Sequence, residues 1–146
     1  MKITKRNVLE LFTVLVGGVL FVGVIWFLYV GIYNALETIL YPNDPLSFPA
    51  DLLRFGAATL FLVLFLLFFK RIQNLLLRAT ISVAPISTFF IMIVLNLYTQ
   101  YYLWIPIILV LTALLVLELI KLKLPWYFYV SLGYSVLLSL LYAWPR

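Results

Sequence analysis

Five carboxylates, no histidine and no cysteine set the chemical limits of this 146-residue chain. Of the acids, Glu10 and Glu118 each lie near the end of an apolar run. Brought together across a bundle they would form an acid pair or a cation site, because an ionisable residue at membrane depth is a functional hypothesis by default. Each also has a cation close by on its own helix, Arg6 four residues before Glu10 and Lys121 three after Glu118. The ordinary expectation is therefore two interfacial ion pairs of about 0.2–0.5 kcal/mol each. Glu37, Asp44 and Asp51 belong to a polar segment, with Arg54 as the expected partner of Asp51. The missing His and Cys remove imidazole and thiolate metal sites, His-ligated haem, Cys-ligated iron–sulfur clusters and the Ser-His and Cys-His nucleophile pairs. Walker, dinucleotide, zinc-protease and nucleophile-elbow patterns are also missing, so the sequence predicts neither an enzyme nor a cofactor.

Two sets of uncharged polar residues interrupt the apolar runs. At 100° per residue Pro85, Thr88, Met92, Asn96 and Thr99 share an arc of roughly 80°, with Gln100 just beyond it. Lipid tails cannot satisfy the Asn96 amide, so these residues form a candidate polar intramembrane face, read either as helix-to-helix adhesion or as the lining of a polar site. Ser131, Ser135 and Ser139 recur at i+4 and read as a packing stripe in preference to a permeation path, since small residues let helix backbones approach closely. Gly17, Gly18 and Gly23 mark another site of close approach.

The elements that must position these residues are transmembrane helices. The chain is 66% hydrophobic and only 10% charged, against about 45–50% and 25% in soluble domains. The expected fold is an all-α integral membrane helical bundle forming a single domain over 1–146. It has about five spans, near 8–32, 52–69, 80–99, 103–120 and 125–142. An outer loop over about 34–51 is punctuated by Pro42, Pro45 and Pro49, residues 70–79 form a short connector, and an aromatic turn precedes Pro106. The first run is too long for a secretory signal and reads as an uncleaved span. Eight of the ten basic residues (Lys2, Lys5, Arg6, Lys70, Arg71, Arg78, Lys121 and Lys123) fall on one side of this topology. The positive-inside rule makes that side cytoplasmic, with the N-terminus in and the C-terminus out.

Aromatic residues crowd the outer side, among them Trp26, Tyr29, Tyr33, Tyr98, Trp104 and Tyr142, as an interfacial belt or an outward-facing site for a headgroup, a sugar or a protein. The net charge of +5 reads as topology, not as a nucleic-acid surface. The functional expectation is a multi-pass protein of the cell membrane that acts as an accessory, assembly or structural subunit. Its partners would be the lipid bilayer and other membrane subunits or copies of itself. A small oligomeric transporter or lipid-handling protein is the alternative, and an enzyme acting through Glu37, Asp44 or Asp51 on a lipid-linked substrate is a third class.

Overall fold

A computed structural model describes residues 4–41 and 49–143. Five helices follow one another: α1 (Lys5–Leu40), α2 (Ala50–Phe68), α3 (Leu75–Asn96), α4 (Tyr101–Lys121) and α5 (Trp126–Ala143). A 3₁₀ turn, Phe69–Arg71, closes α2. No strand occurs among the described residues. α1 to α4 are long and apolar enough to cross a membrane, and α5 is an apolar helix of 18 residues, at the short end of the roughly 17–25 needed. The molecule is thus an all-α helical membrane bundle.

The loop expected over 34–51 is partly helix, because α1 continues to Leu40. Nothing between Asn34 and Leu40 breaks it: the segment has neither Pro nor Gly, and Thr38 Oγ1 donates to the Asn34 carbonyl at 2.8 Å. The helix stops at Tyr41, the residue before Pro42, where the proline ring disfavours helical backbone. The remaining break, with Pro42, Asp44 and Pro45, lies outside the described residues, as do Lys2, Trp144 and Arg146. At 36 residues α1 is about 54 Å long, well beyond a hydrocarbon layer of about 30 Å.

The connector expected over 70–79 is also shorter than its composition implies. Asn74 Oδ1 accepts from the Leu77 amide at 3.1 Å and caps α3, so helix begins at Leu75. α3 then ends at Asn96, short of Thr99, and α4 begins at Tyr101, so most of the aromatic turn expected before Pro106 is already helix. The α4–α5 turn satisfies its carbonyls by a Schellman arrangement: Leu124 N donates to Leu119 O and Lys123 N to Ile120 O. Lys123 takes the left-handed conformation, φ 50°, where glycine is usual.

α3 is the central helix. α1, α2 and α5 all pack on it, while α1 and α2 scarcely touch each other and α4 rests on α5 and the far end of α3. One apolar cluster joins Val14, Ala79, Val83, Tyr127 and Phe128. The second joins Phe90, Ile93 and Val94 to Ile108 of α4. Gly17 and Gly18 explain how α1 comes so close to α3. A Cβ on Gly17 would sit 2.6 Å from the Thr80 methyl, and one on Gly18 would meet the Val83 side chain at 3.0–3.1 Å. Gly23 has open space around it and takes no part in this approach.

Candidate functional site

The serine stripe of α5 faces α3 and is fully enclosed. Ser131 Oγ donates to the Ala79 carbonyl at 2.8 Å, and Ser135 Oγ lies 2.9 Å from Ser131 O and 3.3 Å from Val83 O. Ser139 bonds back to Val136 O at 2.7 Å. Ser82 of α3 completes the seam, with its hydroxyl 2.7 Å from Ser131 Oγ and 2.7 Å from Ala79 O. Two hydroxyl protons serve these three contacts around Ala79 O, so either serine can donate to the other and the network stays closed. Their protons are committed to one another and to backbone and their oxygens are enclosed, so no open polar path runs along this seam.

The residues of the polar face do not converge. Thr88 is half-buried and donates to Ala84 O at 2.6 Å, while Asn96 is exposed and donates to Met92 O at 2.8 Å, both within α3. Thr99 and Gln100 are exposed in the turn beyond the helix. Asn96 therefore satisfies its own helix end and neither binds a neighbour nor lines a cavity with Thr88.

Glu10 and Glu118 are likewise apart. Glu10 is bridged to Arg6 at 2.9 Å, its side chain only 13% exposed against 85% for the arginine. It lines a cleft of about 540 Å³ with Gln73, Asn74 and Tyr127. That cleft gathers the start of α1, the α2–α3 turn and the start of α5 at one end of the bundle. Glu118 is exposed, 3.6 Å from Lys121, on the rim of a different, apolar groove of about 380 Å³ that includes Phe65, Phe89, Leu111 and Phe128. Among the described residues no three His, Cys, Asp or Glu side chains come together as a metal site would require.

Two arginines have roles that basic-residue counting did not reveal. Arg78 is half-buried and turns back to the 3₁₀ turn, where Nε donates to Ile72 O at 2.9 Å and Nη2 bonds the same carbonyl. Its guanidinium lies over the Phe69 ring at 4.9 Å, and Phe69 meets Phe128 edge-on at 6.1 Å. Arg78 thus ties the α2–α3 turn to the start of α5. Its only sequence signal is that a residue counted as connector falls at the fourth position of a capped helix.

Arg54 stands at the opposite end, in the first turns of α2, with Asp51 at 3.3 Å as an exposed i+3 partner. Its neighbours come from three other helices: Trp26, Tyr29 and Tyr33 on one face of α1, Met92 and Leu95 of α3, and Tyr142 of α5, around a cleft of about 380 Å³. A smaller apolar recess of about 70 Å³ continues inward past Ala57, Ala58 and Thr88. The rings form a chain, with Trp26 6.0 Å from Tyr29 and 6.2 Å from Tyr142, and Tyr29 6.0 Å from Tyr33. The buried Tyr29 hydroxyl lies beside the Arg54 guanidinium, outside good hydrogen-bond geometry. The i, i+3, i+7 spacing of the three α1 aromatics and an arginine inside an apolar run were the available signals. Their meeting was not. No known protein family, curated protein or solved structure matches this chain.

Proposed function

We propose that this chain is a non-enzymatic multi-pass protein of the cell membrane that serves as an accessory or assembly subunit, offering α4 to partner membrane proteins. The observation that supports this reading most is the attachment of α4. Only one stripe of it packs inward: Trp104, Ile108, Leu111, Leu115 and Leu119, against the outer half of α3 and against α5. Of its span, 6% is buried, as in α2, against 67% for α3. Side chains such as Leu109 and Leu117 leave an exposed apolar face on the far side. Lipid tails are as apolar as leucine, so such a face is not driven inward and remains open to another helix. The closed serine seam argues in the same direction, since it provides no polar route for a solute between α3 and α5.

A photo-crosslinking amino acid placed at Leu109 or Leu117 in cells tests the proposal. The expected product is a discrete protein adduct from α4 and none from the seam-facing Ser135. Adducts to lipid alone at both α4 positions would overturn it. Orientation belongs to the same reading. The basic ends of α1, the α2–α3 turn and α4 are placed in the cytoplasm. A C-terminal alkaline phosphatase fusion is expected to be active and a C-terminal fluorescent fusion dark, and the reverse result would invert the protein.

A further inference from the structure

The cleft around Arg54 is a separate feature, independent of the exposed α4 face. α1 and α2 both lean on α3 and scarcely touch each other. The space between them is therefore a V with α3 as its floor, open sideways to the bilayer. Arg54 lies four residues past the start of α2, about 6 Å in from its end. Trp26, Tyr29, Tyr33 and Tyr142 around it are the residue types that prefer headgroup depth. A guanidinium is the side chain best shaped to grip a phosphate through two parallel hydrogen bonds. Its bond to Asp51 is exposed and made through Nη1 at 3.3 Å, a weak pair that a buried phosphate would outcompete. The Tyr29 hydroxyl is buried beside the Arg54 guanidinium with no acceptor for its proton, and Tyr29 lines the same cleft. The outer cleft, about 380 Å³, has room for a headgroup, whereas the inner recess, about 70 Å³, is too small for an acyl chain. Tails would therefore leave through the open side of the V.

We propose that this cleft binds the phosphate of an anionic phospholipid, with Arg54 as the phosphate-binding cation, Tyr29 as the second donor and the acyl chains emerging between α1 and α2. The test uses the full chain, delipidated and then reconstituted into nanodiscs of digalactosyl diacylglycerol, a neutral lipid without phosphate, containing phosphatidylglycerol. Native mass spectrometry after transfer to mild detergent counts the lipids retained. One phosphatidylglycerol is expected to be retained about tenfold or more over the galactolipid, the scale of a hydrogen bond to a charged group. Arg54→Gln is expected to abolish the preference and Tyr29→Phe to reduce it several-fold. Arg71→Gln, an exposed arginine at the other end of the bundle, should leave it unchanged. Should Arg54→Gln not fold, as judged by gel filtration and thermal melting, Arg54→Met, which keeps the apolar stem and removes the charge, and Tyr29→Phe decide by the same readout. Equal retention of both lipids, or a preference that survives these substitutions, overturns the proposal. Millimolar inorganic phosphate is expected to leave the lipid adduct in place. Its complete displacement would mean that the site reads free phosphate and that the lipid assignment is wrong.

Discussion

α3 and α4 are nearly equal in length, 22 and 21 residues, yet they occupy opposite positions in the bundle. α4 is the more hydrophobic of the two and almost all of it faces outward, whereas the more polar α3 is the buried centre. In water that order would be reversed. In a bilayer, apolar area gains nothing by moving from lipid to protein, so helices are sorted by how closely they can approach and by which polar groups they can pair. α3 wins on both counts. Ala79, Ser82 and Ala84 keep its surface low, Gly17 and Gly18 let α1 press against it, and Ser82 and Ser131 bridge it to α5. α4 has one inward stripe of large side chains and nothing comparable to hold it elsewhere.

The contrast is broken most directly at Gly18. Gly18→Leu must force α1 away from Val83, and the expected loss is at or above the top of the roughly 1–3 kcal/mol typical of overpacking. Ala113→Leu, the matched change on the exposed part of α4, should be nearly silent. Equal losses in detergent unfolding titrations would show that the two helices are not packed differently. Next in size is Arg78→Ala, which removes the donors to Ile72 O and the stack on Phe69. A loss of about 1.5–3 kcal/mol is expected, the range for hydrogen bonds to charged groups. Arg71→Ala removes only an exposed stack on Phe68, worth at most about 0.5–1 kcal/mol. A smaller effect at position 78 than at 71 would remove Arg78 from its place in the turn.

Ser131→Ala sharpens the comparison within the seam. Intramembrane hydrogen bonds average about 0.6 kcal/mol and reach about 1.7, and a loss in that range is expected. Since Ser82 and Ser131 share their protons, the double change with Ser82→Ala should be non-additive, and simple addition in the double-mutant cycle would contradict the shared network. The smallest effect belongs to Asn96→Leu. Its amide bonds only its own helix and faces outward, so the change should be below about 0.6 kcal/mol. A loss as large as that of Ser131→Ala would mean that Asn96 has a partner on another helix.

The number and order of the helices were legible in the sequence. A backbone in lipid must satisfy its hydrogen bonds within each segment, so length, apolar composition and proline leave few alternatives. The five helices follow from this, while the cap at Asn74 and the helix that continues from Asn34 to Leu40, where a loop was expected, show that boundaries turn on single side chains. Ser131, Ser135 and Ser139 announced a face by their spacing, yet nothing in the spacing named Ala79, Val83 and Ser82 as what that face meets. The arc holding Thr88, Asn96, Thr99 and Gln100 assumed a helix that runs past Asn96. Once α3 ends there, the arc loses two of its members to the turn and Asn96 to the Met92 carbonyl of the same helix. Which helix lies at the centre, and that Arg54 meets Trp26, Tyr29 and Tyr142, was decided by the tertiary structure alone. Each helix carries its own period, but the rotation of one about its axis against another is set by close packing between them, which no single segment encodes.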